Sequence, residues 1–319
     1  MKYKRHSGRR DNGARPSQMS AAMTYFFPLF AVLVWGGNTV VNKLAVGRIA
    51  PAEIGFFRWL AVAVLLSPLV LRPLLARRAE IAPLLPKIVV LGLLGMAVYQ
   101  SLAYYAASLT SATNMGIILA LMPLMSLGLA SALLGQRLNA GGVLGSLLSL
   151  LGVLLVIAHG DLASLLHQGI GLGDGMMLVA TLAYGLYGVL LKKWQIRLPG
   201  LQLLYLQVLV AVLAMLPMYL LSPHHGLDAG NLPLVAYAGL LASIAAPLAW
   251  MRGVQEMGPN RMALFFNLLP LVTAAIAAAL LDERLGVHHL YGGALTLAGV
   301  FLAERWRPAA GLTTNRQGT

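Results

Sequence analysis

The sequence predicts an all-α integral membrane protein with ten transmembrane helices arranged as two inverted-topology five-helix repeats. Three observations support this fold class. The composition is too apolar for a soluble protein, ten apolar runs are long enough to cross a bilayer, and the second half of the chain repeats the first. The repeat is plainest where "LLGQRLNAGGVLGSLLSLLGVLL" at 133–155 is followed, 147 residues later, by "LLDERLGVHHLYGGALTLAGVFL" at 280–302.

The composition argues against a soluble protein. Of the 319 residues, 59% are hydrophobic and only 10% are charged, whereas a soluble domain carries about 25% charged residues. The chain has no cysteine, so disulfides and thiolate metal sites are excluded. Residues 1–22 are basic and lack an apolar face, which predicts a disordered cytoplasmic tail and not a signal peptide.

Ten apolar runs approach or exceed the roughly 20 residues that a transmembrane helix needs. Turn residues or charges interrupt the chain between them, and two of these breaks are so short that spans 3–4 and 8–9 must form tight antiparallel hairpins. The predicted spans are 24–46, 52–72, 86–107, 112–134, 140–158, 174–194, 200–221, 232–256, 260–281 and 287–304.

The distribution of lysine and arginine predicts the orientation. With the N-terminus inside, 18 of the 23 basic residues fall on the cytoplasmic side, and only Lys43, Arg48 and Arg284 fall outside. Arg58 and Arg252 fall within spans. Both termini are therefore expected in the cytoplasm of a bacterial-type inner membrane. The net charge of +13 is expected to meet lipid headgroups and not nucleic acid.

The repeat gives the predicted domain organisation. The first five-helix repeat covers 23–158, an outer loop covers 159–173, the second repeat covers 174–306 and a cytoplasmic tail covers 307–319. Because five spans separate the copies, the second half is inverted relative to the first. This architecture is typical of secondary transporters, whose halves rock about a site near the midplane.

Several motifs resemble the drug/metabolite transporter superfamily, EamA type. They are "WGGN" in span 1, "PAEIGFFRW" entering span 2, and a proline followed thirteen residues later by "QRL" or "ERL" (Pro123 and Pro270). The resemblance covers about residues 24–306 and implies ten helices, export of small metabolites such as amino acids, and no ATPase. One departure is Gln136, which stands where the pattern has glutamate.

Polar and aromatic side chains at membrane depth are candidates for substrate binding, because they are costly there unless they function. Trp35, Asn38 and Asn42 share one face of span 1. An offset of 149 carries Trp35 to Tyr184 and Asn38 to Tyr187, so we expect these two pairs to face one cavity. The full predicted set is Trp35, Asn38, Asn42, Gln100, Tyr104, Asn114, Tyr184, Tyr187, Trp250 and Asn267.

Simpler roles remain open for several of these positions. Asparagine and tyrosine can join helices without touching substrate, and Trp250 could belong to an interfacial aromatic belt. Arg252 is expected to snorkel towards the inner headgroups and Arg58 towards the outer ones, where Glu53 or a neighbouring helix could pair it. The glycines of spans 5 and 10 are expected to serve close helix packing, with a homodimer contact as the alternative to a monomer.

The sequence predicts no cofactor and no metal site. Apart from His6 in the tail, the histidines fall in outer loops or at outer span ends, and no nucleotide-binding or zinc-hydrolase motif is present. An intramembrane enzyme acting on a lipid-linked substrate would need a base with an orienting partner, which the spans do not offer. A membrane receptor or scaffold would not require two inverted halves. The predicted partners are therefore a small-molecule substrate and the lipid bilayer.

The acidic residues predict how transport is driven. Asp174, Asp282, Glu283 and Glu53 fall at outer span ends, and Glu256 at an inner end. A proton antiporter usually carries a titratable group that reaches its substrate site. Since none is expected near the midplane, the sequence predicts facilitated or exchange transport, with Glu256 as the residue that could overturn this prediction.

Overall fold

The computed structural model describes residues 21–135, 140–163, 170–224, 226–257 and 265–305. Within these ranges the chain forms helices joined by turns and short irregular segments, and no strand. The basic tail up to residue 20, Gln136, Arg261, the side chain of Glu256 and the C-terminal tail lie outside the described residues.

Eight helices in the described ranges are long and apolar enough to cross a membrane, and two further helices are apolar but shorter. We number them in chain order. They are α1 (Ala21–Leu44), α2 (Pro51–Ala76), α3 (Arg78–Ala107), α4 (Ala112–Leu119 and Met122–Leu134), α5 (Ala140–Ile157), α6 (Leu172–Trp194), α7 (Gly200–Leu221), α8 (Leu232–Ala236, Tyr237–Ala245 and Ala246–Met257), α9 (Leu269–Leu280) and α10 (Val287–Arg305).

The start of α3 differs from the prediction. The sequence placed a break at about 73–85, but helix resumes at Arg78 and continues to Ala107. Pro83 and Pro86 do not stop it, because each occupies the first turn of a new helical segment, where the missing N–H has no partner to lose. The first of these segments is a short 3₁₀ turn, Ala82–Leu84.

Helices α5 and α10 pack closely through their glycines, as the sequence predicted. A Cβ atom added at Gly152 would lie 2.5 Å from the carbonyl oxygen of Gly292, and one added at Gly299 would lie 2.5 Å from that of Gly145. Because Gly145 faces Gly299 and Gly152 faces Gly292, the two helices run antiparallel. Because glycine has no side chain, the backbones of α5 and α10 come into direct contact.

Two hydroxyl residues lie at the centre of this contact. Ser149 Oγ donates to the Thr296 carbonyl at 2.6 Å, and Thr296 Oγ1 donates to the Ser149 carbonyl at 3.5 Å. Ser149 and Thr296 are separated by 147 residues, which is the offset of the sequence repeat. The contact is therefore reciprocal, because equivalent positions of the two repeats, Ser149 and Thr296, contact each other.

The same offset relates the irregular segments of the two halves. A π-helical segment at Leu93–Val98 in α3 corresponds to the end of the one at Tyr237–Ala245 in α8. The turn at residues 120–121 that divides α4 corresponds to the turn at 267–268 that precedes α9. In both halves a proline follows this turn, Pro123 or Pro270, and cannot donate to the carbonyl four residues earlier.

We predict that Gly299→Ala lowers the melting temperature of the purified protein and its yield. The new methyl would lie 2.4 Å from the Ser149 nitrogen, so α5 and α10 must separate, at a cost of about 1–3 kcal/mol. The matched control is Gly128→Ala on α4, where an added Cβ meets nothing within 4 Å. Equal melting temperatures for both variants would contradict the assigned contact.

Candidate functional site

A cavity of about 120 Å³ lies inside the bundle and takes its walls from both halves of the chain. Many of the lining residues fall into pairs that the repeat relates. The offset is 149 for the pair from α1 and α6, and 147 for the others. The pairs are Trp35 and Tyr184, Gly95 and Ala242, Met96 and Ser243, Gln100 and Pro247, Leu119 and Phe266, and Met122 and Leu269.

The irregular backbone segments reach this cavity. Gly95 and Ala242 belong to the π-helical segments, and Leu119 and Phe266 directly precede the two turns. The carbonyls of Leu119 and Phe266 lack their usual donors, because Pro123 and Pro270 stand four residues later. Non-helical backbone is tolerated at membrane depth only where it is buried in protein or lines a cavity. The repeat thus places backbone irregularities and cavity wall together.

Helix α1 presents one polar face to the cavity, as the sequence predicted. Trp35, Asn38 and Asn42 all line it, together with Thr39. The Trp35 indole is fixed in place, since its Nε1 donates to the Ala242 carbonyl at 3.1 Å. This bond joins α1 of the first half to α8 of the second.

Aromatic rings build two opposite parts of the wall. Trp35 packs against Phe266 with ring centroids 5.4 Å apart and against Trp250 at 5.5 Å. Tyr184 packs against Tyr99 at 4.8 Å. Trp35, Phe266, Tyr99 and Tyr184 line the cavity. Trp250 lies behind Trp35, so the structure supports neither an interfacial belt position nor direct contact with the cavity for its ring.

Two further predicted residues also form a second layer. Tyr187 stacks on Tyr184 at 5.3 Å and covers Gly95, where an added Cβ would lie 2.7 Å from its ring. Tyr104 is 2% exposed and its hydroxyl accepts a bond from Arg58 at 3.5 Å. Both side chains therefore position residues of the wall and do not themselves face the cavity. Gln100, by contrast, lines it directly.

The remaining two predicted residues are placed elsewhere. Asn267 is half-buried in the turn before α9 and is not part of the wall. Asn114 lies at the start of α4, where its Nδ2 donates to Asp174 Oδ1 at 3.4 Å and its Oδ1 lies 3.2 Å from His289 Nε2. The polarity of these positions suggested a binding site, but polarity also suits a helix end, where backbone groups need partners.

Asn114 belongs to a polar cluster that ties together the predicted outer ends of several helices. Glu283 is its central member, because its carboxylate accepts from the backbone nitrogens of Ala112 and Thr113 at 2.8 and 3.1 Å and from Thr113 Oγ1 at 2.7 Å. An acidic group at a helix N-terminus is stabilised by free N–H groups and by the helix dipole. Glu283 thus fastens the α9–α10 connection to α4.

Lysine and aspartate extend the same cluster. Lys43 Nζ donates to the carbonyls of Ala107 and Thr110 at 2.8 Å each, which joins α1 to the end of α3. Thr110 Oγ1 donates to Asp174 Oδ1 at 2.5 Å, which joins the α3–α4 turn to α6. Four of the helices that line the cavity, α1, α3, α4 and α6, are therefore bound to one another at this end.

Arg58 lies deeper than expected from the sequence. It was expected at the outer headgroups, with Glu53 or a neighbouring helix as alternative partners, but it is 5% exposed and lines the cavity, and its partners come from neighbouring helices. Its Nε donates to Ser243 Oγ at 2.7 Å and its Nη1 to Asn38 Oδ1 at 3.3 Å. Only tertiary packing places Ser243 and Tyr104 beside it. The one available signal was its position two turns inside α2.

The histidines do not form a metal site in the described part of the chain. His159 Nδ1 lies 3.4 Å from His288 Nε2, and the His288 and His289 rings are 4.1 Å apart. Among the described residues, however, no group of three or more histidine, cysteine, aspartate or glutamate side chains could hold a metal ion.

Known proteins resemble the chain along nearly its whole length. An uncharacterised transporter of Bacillus subtilis, YyaM, is 28% identical, and the match covers 88% of this chain and 94% of that protein. A probable terminal-alkyne amino-acid exporter of Streptantibioticus cattleyicolor is 26% identical, over 87% and 92%. A probable amino-acid metabolite efflux pump of Escherichia coli is 26% identical, over 88% and 95%.

A solved structure shares the fold. One crystal structure at 18% sequence identity superposes with a TM-score of 0.58 and covers 89% of this chain and 98% of that one. At this identity the likeness concerns the fold alone.

A family model matches the chain twice, once in each half. The matched residues are 22–158 and 171–305, and the family is described as EamA-like transporters. The double match accounts for the paired cavity walls and for the reciprocal contact of α5 with α10. The chain belongs to the EamA-like transporter family.

Proposed function

We propose that this protein exports small amphipathic metabolites, most directly amino acids or related compounds, by alternating access at the cavity. The observation that carries the proposal is the set of repeat-related pairs in the cavity wall. A site shared by two equivalent halves can open to either side when the halves exchange their conformations. Two relatives, a probable terminal-alkyne amino-acid exporter and a probable amino-acid metabolite efflux pump, support the substrate class.

The proposal includes ten spans in two inverted halves, with both termini in the cytoplasm. The antiparallel contact between α5 and α10 supports the inversion, because these helices occupy the same place in each repeat. The shorter apolar helices α9 and α10 would complete the second set of five spans. The charge distribution supports the orientation. The proposed location is a bacterial-type plasma (inner) membrane.

The polar cluster around Glu283 is proposed to hold the outer side closed. Its bonds join α1, α4, α6 and the α9–α10 connection, and these are helices that contribute to the cavity or adjoin it. Opening the cavity outward requires these bonds to break, and cytoplasmic loading is favoured while they persist. The conformation described here would then be the one closed to the outside.

We predict that Asn38→Leu abolishes most counterflow of labelled amino acids in proteoliposomes while leaving the melting temperature within a few degrees. Asn38 lines the cavity and accepts a bond from Arg58, so leucine removes both a polar surface and a positioning contact. Each hydrogen bond between this part of the wall and the substrate that is lost costs about 1.5–3 kcal/mol when a charged group takes part, roughly a tenfold to hundredfold loss of affinity.

The control for this experiment is Leu33→Ala, on the same helix. Leu33 is 54% exposed and faces away from the bundle, so counterflow should be unchanged. If Asn38→Leu transports every tested compound as the parent protein does, the substrate site lies elsewhere.

We predict that Glu283→Gln increases access to the cavity from outside. The natural chain has no cysteine, so Thr39→Cys gives a single label site in the cavity wall. A neutral amide caps α4 more weakly than a carboxylate does. A loss of about 1.4 kcal/mol would raise the rate of labelling by an impermeant maleimide about tenfold.

Glu80→Gln serves as the control for the labelling experiment. Glu80 is exposed near the start of α3, at the predicted inner side, so its loss should not change labelling from outside. An unchanged rate in Glu283→Gln would show that the cluster does not hold the outer side closed.

We predict that flux follows the substrate gradient and does not require a pH gradient. Asp174 and Glu283 bind hydroxyl, amide and backbone groups at the outer ends of helices, and the lining residues of the cavity include no carboxylate. The measurement is uptake into proteoliposomes with and without a pH gradient at equal membrane potential. Accumulation that disappears with the pH gradient and is lost in Glu256→Gln would assign proton coupling to Glu256.

A further inference from the structure

Arg58 places a permanent positive charge in the wall of the cavity. It lies seven residues after Pro51, where α2 begins, and is therefore about 10 Å along the helix from that end. Its side chain does not return to the membrane surface, because its guanidinium is bound inside the bundle. Charged side chains at membrane depth are costly and usually meet a partner or a water-filled cavity.

The hydrogen-bond partners of Arg58 are neutral. The guanidinium donates to the Ser243 hydroxyl, the Asn38 amide oxygen and the Tyr104 hydroxyl. The guanidinium carbon, Cζ, lies 5.0 Å from the centre of the Trp59 ring, so the indole also stabilises the charge. These contacts position the group and supply no opposite charge.

The described carboxylates near the cavity are bound elsewhere. Glu53 accepts from the backbone nitrogens of Ala50 and Gly226, Asp174 from Thr110 and Asn114, and Glu283 from the start of α4. Within the described segments, therefore, the hydrogen bonds of Arg58 end on uncharged oxygens while the acidic side chains hold helix ends and loops. A buried cation of this kind is strongly stabilised when an anion reaches it.

The repeat provides no second cation. The position of Arg58 corresponds to Leu206 or Gln207 in α7, at an offset of 148 or 149. Among the described residues that line the cavity, Arg58 is also the only Lys or Arg. A single guanidinium matches a carboxylate, whose one negative charge and two oxygens fit its fork of N–H groups. A dianionic phosphate ester would bring more charge than this wall offsets.

Three buried polar atoms of residues in the wall have no hydrogen-bond partner. They are the indole nitrogen of Trp59, the amide oxygen of Asn42 and the amide nitrogen of Gln100, in side chains that are 4%, 4% and 2% exposed. Leaving such groups unpaired costs about 1–3 kcal/mol each, so a ligand that satisfies them is favoured. Trp59 offers a donor beside Arg58, and Asn42 offers an acceptor on α1.

We infer that the cavity binds an amphipathic monocarboxylate. Arg58 and Trp59 bind its carboxylate. A second group of the ligand, an ammonium or a hydroxyl, donates a hydrogen bond to the Asn42 amide oxygen. The inference rests on the proposed function, which it restricts. The aromatic rings of Trp35, Phe266 and Tyr184 take the apolar part of the molecule. Amides, esters and cationic amines of the same shape leave Arg58 without an anion and are rejected.

The test compares acids with their own amides on the full-length protein. Purified protein is heated with L-leucine, L-phenylalanine, L-methionine or L-threonine, and with the amide of each, and the melting temperature is recorded. Inorganic phosphate and 4-methylpentanoate, which is leucine without its amine, are added as further arms. The same labelled compounds are then followed in counterflow in proteoliposomes.

The variants are Arg58→Gln, Arg58→Lys and the control Arg72→Gln, an exposed position on the same helix. The parent and the control should be stabilised by at least one acid at concentrations where its amide has no effect. Truncating a buried charge pair weakens binding by about 30-fold or more, and Arg58→Gln should lose the preference for the acid. Arg58→Lys should keep the preference with weaker binding, because it retains the charge without the fork.

Melting without ligand separates this role from a structural one. Arg58→Gln should melt at the temperature of the parent protein or above, since it removes a buried cation that lacks a carboxylate among the described residues. A large drop in melting temperature would assign Arg58 to structure and overturn the inference. Stabilisation by phosphate but by no carboxylate would overturn it as well.

The two readouts distinguish this inference from the proposed function. If amides and acids cross the membrane equally well, transport stands and the carboxylate site is wrong. If acids stabilise the protein through Arg58 and none is transported, the site stands as a binding site and the export function is wrong. If no arm stabilises the protein and none is transported, both are wrong.

Discussion

The structure depends on one constraint, which is that backbone N–H and C=O groups find no water in the hydrocarbon core. A chain there must satisfy these groups within its own helices, and each unpaired group costs several kcal/mol. This explains why the described residues are helical from Ala21 to the end of α10. It also makes every departure from α-helical geometry at membrane depth informative, because the departure must be compensated or used.

The departures concentrate at the cavity. The π-helical segments of α3 and α8 and the turns in α4 and before α9 all contribute lining residues or directly follow them. Each occurs at equivalent places in both halves. The two halves that the family model matches therefore bring their irregular backbone to a shared surface. Rigid packing elsewhere, above all between α5 and α10, keeps the two copies aligned.

The repeat relates many residues of the cavity wall, and the pairs that differ between the two halves determine its polarity and charge. The repeat relates Gln100 to Pro247 and Met96 to Ser243, residues of unlike polarity. Arg58 has a leucine or a glutamine as its counterpart, so among the described lining residues the positive charge comes from the first half. The equivalent motifs also differ, since Glu283 caps α4 while Gln136 stands at the corresponding position of the first half. The two halves therefore share their helix packing and differ in polarity and charge.

The sequence by itself determined the membrane class, the repeat and most helix positions. These follow from local composition and periodicity, because the bilayer selects apolar runs of a fixed length and glycine faces for close packing. Helix periodicity also predicted Trp35, Asn38, Asn42 and Gln100, and the repeat predicted Tyr184. These five residues line the cavity, and their part in substrate binding stays a prediction. Tertiary structure alone decided the place of Arg58, because its environment comes from α3 and α8, which are distant in sequence. The same holds for Asn114, which the sequence assigned to the site and which packing commits to the outer cluster. Polarity at membrane depth shows that a residue needs a partner, and only the packing of the helices decides whether that partner is the protein or the ligand.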